Sequence, residues 1–292
     1  MASILEVICP TDIEAVLPIL GDSERNPRVI AGGTDLLLQY QHQDGPDLTV
    51  IDITGVRGLG EIVEAEDGLR IGAAVCLADI VGSETIAHRI PVLVEGAVVV
   101  AGPQIRNLAT IGGNVCNASP SADTITPLLV LDAEAQIRSA AGSRVVSLRD
   151  FFVGPGQTVL EPGELLESLL IPWPAPGTEA AYTKLSPRRA MDLAVVGVAV
   201  ALWQAGSGIQ TRIGLGAVAP TPLRATVAED VVNGAVVIDL DLAAEAGAAA
   251  AAAVSPISDV RGSAGYRRTM VERLVTRLLL ELSERVTKAR TP

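Results

Sequence analysis

Residues 109–123 read ATIGGNVCNASPSAD. Gly112 and Gly113 stand between Thr110 and Asn114, and a second small, polar cluster runs from Asn117 through Ser119 to Asp123. A glycine pair lets backbone N–H groups approach a ligand closely and take φ > 0. Successive N–H groups turned one way form an anion-binding concavity. Upstream, residues 29–36 read VIAGGTDL: a β-branched run, then Gly32-Gly33, then Thr34 and Asp35. Two glycine-pair turns about eighty residues apart, each flanked by a hydroxyl, are what a diphosphate held between two loops needs. Taken singly, Gly32-Gly33 also reads as a tight strand-to-helix turn. It is not a Rossmann fingerprint, because G-x-G-x-x-G is absent.

Composition narrows the classes of function. A formal charge of −12 argues against a nucleic-acid surface, which needs clustered Lys and Arg. Aromatic residues make up 2% of the chain, too few for a platform on which bases stack. Any planar ring bound here must therefore pack mainly on aliphatic side chains and backbone. The first residues, MASILEVICPTDIEAV, offer no basic n-region and no long apolar h-region, so a secretory signal is not expected. The longest apolar run, 193–203, is half of the roughly 20 residues a membrane span takes. Cys9, Cys76 and Cys116 lie far apart without metal or cluster spacing, and read as small buried hydrophobes. Cys116 stands apart, because it falls inside the second glycine segment. His42 and His88 share no metal-like spacing, and no Ser-His-Asp order, paired carboxylates or P-loop is visible.

Along the chain, Thr11 followed by Glu14 reads as a capping box for a helix to about residue 20. Strands are expected at 29–31, 48–53, 69–75, 135–138, 144–148 and 165–171 from their β-branched content. Residues 35–40 read as a helix or turn, 90–101 as a valine-rich helix, and 124–131 as a short helix. PWPAPG at 172–177 is the best linker, since three prolines stop helices and most ladders. Beyond it, 193–203 and 209–218 read as two long apolar strands joined at AGSG. Helices follow at 225–232, 241–253 and 264–286. The last carries Met270, Leu274, Leu278, Leu282 and Val286 four apart. The alanine run 248–253 reads as helix filler. The order is α+β followed by a strand pair with helices.

AGGTDLL at 31–37 and TIGGNVCNASPSAD at 110–123 resemble the two flavin loops of the FAD-binding medium subunits of molybdenum hydroxylases. That family includes xanthine dehydrogenase, carbon monoxide dehydrogenase and quinoline oxidoreductase. GELLESLLIP at 163–172, YTKLSPRRAMDLAVVGVAV at 182–200 and SDVRGSAGYRRTM at 258–270 extend the likeness over nearly the whole chain, in the family's order.

The resemblance implies a PCMH-like, two-subdomain FAD-binding fold over residues 1–175, with subdomains of about 1–55 and 56–175. A C-terminal domain of antiparallel sheet and helices follows over 178–290. It implies FAD contacts at Val29, Ile30, Ala31, Gly32, Gly33, Thr34, Asp35 and Leu36. Further contacts are implied at Ala101, Thr110, Gly112, Gly113, Asn114, Asn117, Asp123, Leu166, Lys184, Asp192 and Leu193. Asp123 is expected to accept from ribityl hydroxyls; it also reads as a helix N-cap, and both roles can hold together. Leu166 by itself reads as core and Lys184 as a solvated lysine. The resemblance brings the Leu166 backbone to the flavin edge and Lys184 to a flavin carbonyl. Carbon monoxide dehydrogenase has a tyrosine near the point where this chain has Leu193.

No catalytic residue and no metal ligand are expected on this chain. The implied role is electron transfer in a cytoplasmic heterotrimer, itself doubled. A large subunit would carry the molybdenum cofactor, a small subunit two 2Fe–2S clusters, and FAD here would serve NAD, a quinone or oxygen. A self-sufficient FAD oxidase or reductase of the same fold, and a scaffold without nucleotide, are the alternatives.

Overall fold

A computed structural model describes residues 4–40, 47–188 and 191–288; His42 lies outside them. The chain builds the expected α+β architecture in two compact units that do not follow chain order. One comprises Met1–Gly82, Gly102–Ala118 and Ala133–Pro172; the other comprises Ser83–Ala101, Ser119–Asp132 and Trp173–Pro292. Ala101 (φ 43°), Ala118 (φ 48°) and Asp132 (φ 51°) are the last residues before three of the points where the chain passes between units. A left-handed non-glycine backbone costs of order 1–3 kcal/mol and persists only where its surroundings over-determine it.

Among the described residues, the first unit holds two larger sheets and a two-stranded ribbon of Phe152–Gly154 and Gln157–Thr158. Its parallel sheet places Leu48–Asp52 between Ile4–Ile8 and Pro27–Ile30. The helix Ile13–Leu20 makes the crossover that parallel strands require. Its Val16 and Leu17 pack with Ile51, Ile53, Val56 and Leu59 in the core. Asp12, not Thr11, caps this helix: the Asp12 carboxylate accepts from the Ala15 N–H at 3.0 Å. The capping box does not form, and Glu14 pairs instead with Arg138 at 3.0 Å. The second sheet is antiparallel, in the order Ile62–Glu64, Gly68–Gly72, Leu165–Pro172, Glu134–Ser139, Gly142–Ser147. Ile4–Ile8 is not among the expected strands, and it is an edge strand with Leu5 and Val7 exposed. Cys9, which follows it, is exposed rather than buried.

The second unit is built on a four-stranded antiparallel sheet of Glu179–Leu185, Val196–Ala205, Gly208–Gly216 and Leu223–Arg224. The long strand starts at Val196 rather than at residue 193. It alternates large and small residues. Val196, Val198, Val200 and Leu202 join the helical core, with Val271, Val275, Leu278 and Leu282 of the helix Ala264–Lys288. Gly197 and Ala199 fall on the opposite face, opposite Gly216 and Gly214 of the next strand. There the fully buried helix Ile125–Val130 packs so close that a Cβ on Gly214 would lie 2.7 Å from the Thr126 carbonyl oxygen. Arg267 is buried at the sheet's end, donating to the Val195 and Ala217 carbonyls and to Asp259.

The alanines of Leu240–Ala252 do more than fill a helix. Ala243, Ala246, Gly247 and Ala250 recur at helical spacing and form its buried face. Small residues there let the helix lie close against Ala264–Lys288. A Cβ on Gly247 would overlap the Thr276 hydroxyl and lie 2.6 Å from the Glu272 carbonyl oxygen. Gly247→Val is therefore expected to destabilise the protein by about 1–3 kcal/mol through overpacking, measured as a shift in the urea midpoint. An unshifted midpoint would show that the two helices are not held at this spacing.

Candidate functional site

The first glycine segment lies between the strand Pro27–Ile30 and the short helix Leu36–Tyr40. Gly33 takes φ +67°, where a side chain would be strained. Gly32 has a different reason to be glycine: a Cβ there would overlap the carbonyl oxygen of Leu108. The carbonyls of this loop are used, since Gly33 accepts from the Leu37 N–H at 3.2 Å and Asp35 from the Gln39 N–H at 3.0 Å. Among the described residues, the N–H groups of Gly32, Gly33, Thr34 and Asp35 have no acceptor. These residues are partly open to solvent, and a run of consecutive open donors is the kind of concavity that suits an acceptor-rich ligand.

Residues 29–36 line one wall of a cavity of ≈ 370 Å³, within the range of roughly 300–1,000 Å³ typical of small-molecule sites. The whole lining comes from the first unit. Thr110, Gly112, Gly113, Asn114, Asn117 and Leu166 share it. The donor set suits a diphosphate. Among the described residues, no Lys or Arg lines the cavity, and neither does any aromatic side chain. The charge of a bound anion must then be met by backbone dipoles, and a planar ring by Val29, Ile30, Ile53, Leu160 and Leu165.

The second glycine segment is not a loop. It opens the helix Ile111–Cys116, with Thr110 as N-cap. Its donors are committed: Ile111 N–H to the Val75 carbonyl, Gly112 N–H to the Ala73 carbonyl, and Gly113 N–H to the Thr110 hydroxyl, each at 3.0 Å. Asn114 N–H reaches the Thr110 carbonyl at 2.9 Å. Gly112 is glycine because a Cβ would lie 2.5 Å from Ala73, and Gly113 does not take positive φ. This segment borders the cavity through its side chains and Cα atoms, without forming a second nest of free N–H groups. Asn117 accepts from Gln39 Nε2 at 3.2 Å. Gln39 also lines the cavity, unmarked in the sequence except by lying four residues after Asp35. Cys116 lines it as well, and burial pushes its thiol up to about 12, so it serves as a neutral, apolar wall.

Leu160, Glu164, Leu165 and Leu166 close another side. A bulge interrupts the pairing of Leu165–Pro172 with Glu134–Ser139 between Leu166 and Ser168, and the Glu167 carbonyl accepts from the Ala73 N–H at 3.0 Å. Glu164 is held by Arg144 through two bonds of 2.6 and 2.7 Å. That guanidinium holds the Glu164 carboxyl below the usual carboxylate range.

Ala101, Asp123, Lys184, Asp192 and Leu193 belong to the second unit and are absent from this lining. Two of them meet. Lys184 Nζ donates to Asp123 Oδ2 at 2.7 Å and to the Val99 carbonyl at 3.2 Å. Tyr182 Oη donates to Asp123 Oδ1 at 2.7 Å. Lys184 is thus a buried, paired cation rather than a solvated one. Burial raises the Asp123 carboxyl, against the pull of Lys184 and Tyr182. Asp123 is not a cap; Thr124 holds the N-cap position of Ile125–Val130. Asp192 accepts from the Leu193 N–H at 2.9 Å and from Arg188, and Leu193 is half exposed. His88 is bonded to the Glu84 carbonyl, and no metal-ligating group of side chains occurs among the described residues.

Comparison with known proteins agrees in sequence and in shape. The family described as "FAD binding domain in molybdopterin dehydrogenase" matches residues 3–174. "CO dehydrogenase flavoprotein C-terminal domain" matches 181–282. The xanthine dehydrogenase FAD-binding subunit of Escherichia coli O157:H7 is 34% identical over 257 residues, covering 87% of this chain and 88% of that one. The carbon monoxide dehydrogenase medium chain of Afipia carboxidovorans is 35% identical over 260 residues, covering 89% and 88%. A carbon monoxide dehydrogenase structure from Hydrogenophaga pseudoflava, which lacks the Mo-pyranopterin moiety of its cofactor, superposes with a TM-score of 0.92. It is 31% identical, with 98% of this chain and 99% of that chain covered.

Two substitutions separate the glycine segments. Gly32→Ala drives a methyl into the Leu108 carbonyl and is expected to cost more than about 2 kcal/mol, beyond ordinary overpacking. Gly113→Ala meets only the Thr110 hydroxyl at 2.9 Å, in a helix without positive φ, and is expected to stay within about 1 kcal/mol of wild type. Urea unfolding of the two variants side by side decides it; the reverse order of stability would refute the packing assigned here.

Proposed function

We propose that this chain, which belongs to the family of FAD-binding medium subunits of molybdenum hydroxylases, holds one non-covalent FAD in the cavity of its first unit. It passes electrons received from 2Fe–2S clusters to an external acceptor such as NAD, a quinone or oxygen. When bound, FAD would supply the redox chemistry, and the chain would supply its position and electrostatic surroundings. The run of open N–H donors from Gly32 to Asp35, facing a cavity without basic side chains, carries the proposal. Those donors suit a diphosphate, and Val29, Ile30, Ile53, Leu160, Leu165 and Leu166 offer the apolar wall a ring would need. The glycines of 110–114 shape the wall; the Thr110 cap holds it.

The partners proposed are a large subunit with the molybdenum cofactor and a small subunit with two 2Fe–2S clusters, as a dimer of heterotrimers in the cytoplasm. Relatives named as medium chains support a multi-subunit complex. Among the described residues no helix is long and apolar enough to cross a membrane.

Acid precipitation of the purified protein should release stoichiometric FAD to the supernatant, and yellow colour retained in the pellet would refute the non-covalent site. Gly33→Val places a β-branched residue at positive φ among the open donors. The variant should fold and lose most of its FAD. In the intact complex, its clusters should still be reduced by substrate while turnover with the acceptor collapses. Full turnover in a flavin-free variant would overturn the electron-transfer role.

Because backbone dipoles rather than charged side chains meet the phosphates, FAD affinity should be almost unchanged between about 0.05 M and 0.5 M salt. A steep fall in affinity measured by fluorescence titration would mean that basic side chains bind the diphosphate.

A further inference from the structure

Arg144 does not touch the cavity, yet it is tied to its wall. It lies on the edge strand Gly142–Ser147, opposite Ile137, and Ile137 in turn lies opposite Leu166. One line across three strands therefore runs from Arg144 to the cavity. From the edge, the guanidinium reaches back to the turn that precedes Leu165. Its Nε donates to Glu164 Oε1 at 2.6 Å, and its Nη2 donates to Glu164 Oε2 at 2.7 Å and to the Val159 carbonyl at 2.9 Å. Glu164 Oε2 also accepts from the Glu161 N–H at 2.8 Å. Both carboxylate oxygens are occupied, and the Glu164 side chain is only 10% exposed.

Backbone bonds also tie this turn, from the Glu164 N–H to the Glu161 carbonyl at 3.0 Å and from the Val159 N–H to the Phe151 carbonyl at 2.9 Å, but no other side-chain ion pair does among the described residues. Gly163 takes φ +84° beside the Gly21 backbone, and a bulge follows directly after Leu166. A bulge next to a site re-aims side chains but loosens the ladder that would hold them. A bidentate Arg–carboxylate pair restores that definition, since its fork fixes orientation as well as distance.

We propose that Arg144 is a positioning residue for the cofactor site. Through Glu164, it sets the placement of Leu160, Leu165 and Leu166 as the wall against which the FAD packs. The inference rests on the reading of the cavity as an FAD site. Neutralising Glu164 is a second consequence: an unpaired carboxylate in the wall would repel an anionic ligand, and Arg144 removes that charge.

The test is titration of the deflavinated full-length chain with FAD, followed by flavin fluorescence, for wild type, Arg144→Met and Arg144→Lys. Visible circular dichroism of the bound flavin reports the asymmetry of its surroundings. The Met variant should bind FAD about tenfold or more weakly, the scale on which supporting residues act on a bound group. It should also change the flavin dichroism, while the far-ultraviolet spectrum stays native. The Lys variant, which keeps the charge but not the fork, should recover part of the affinity.

Unchanged affinity and dichroism in the Met variant, beside a wild type that binds FAD, would overturn the clamp and leave the cofactor reading intact. Loss of FAD in proportion to the unfolded fraction alone would do the same. Should the Met variant not fold, the Lys variant decides by the same two readouts. A wild type that binds no FAD would overturn the cofactor reading and the clamp together.

Discussion

The backbone of Gly32 lies directly on the carbonyl of Leu108, with no room between them for a single methyl group. The cavity depends on that approach. It brings the loop with open donors against the segment that leads into Ile111–Cys116, so two stretches far apart in sequence become two sides of one space. Atoms this close leave no relaxation path except backbone movement, because interiors are packed to crystal density. The neighbouring Gly33 then turns the chain through the left-handed region, and its N–H and the next two have no acceptor among the described residues. Steric necessity at one glycine and conformational freedom at the next together make the donor array.

The second unit uses small residues for a different end. Its long strand is apolar on both faces, but valines and a leucine meet the helices on one side, and glycine and alanine admit the helix Ile125–Val130 on the other. Charged ties then join the segments. Arg224 bonds Glu229 and Asp132, and Glu229 also accepts from the Ile213 N–H. The pair Lys184–Asp123 with Tyr182 links the first strand of the sheet to the residues just before Ile125. Buried charges are tolerable there because each has a partner of opposite sign and further hydrogen bonds.

Much of this was legible before any coordinates. β-Branched runs, turn signals and helical spacing marked most strands and helices, and the long helix with Leu274, Leu278 and Leu282 is where its stripe put it. The elements missed include the exposed edge Ile4–Ile8, the short helices Leu77–Gly82, Glu84–Arg89 and Ile111–Cys116, the short strands Ile62–Glu64 and Phe152–Gly154, and the strand Glu179–Leu185. Most of these pieces have too few residues to show a period. The cap at residue 12 rather than 11 is a choice between two good capping side chains, decided by backbone angles that composition does not carry.

The two glycine pairs show where sequence stops and tertiary structure begins. By itself the sequence determined that both glycine pairs mark close backbone approaches, that few aromatic or basic side chains are on hand to line a ligand, and which family these motifs resemble. Only the fold decided which pair keeps its N–H groups free. Next to Ile111 and Gly112 stand the carbonyls of Val75 and Ala73, which take their protons; next to Gly32 stands a carbonyl that excludes a side chain, and no described acceptor reaches the donors that follow. The same dipeptide is structural in one place and open to a ligand in the other, because a hydrogen bond depends on the partner that long-range packing brings within about 3 Å.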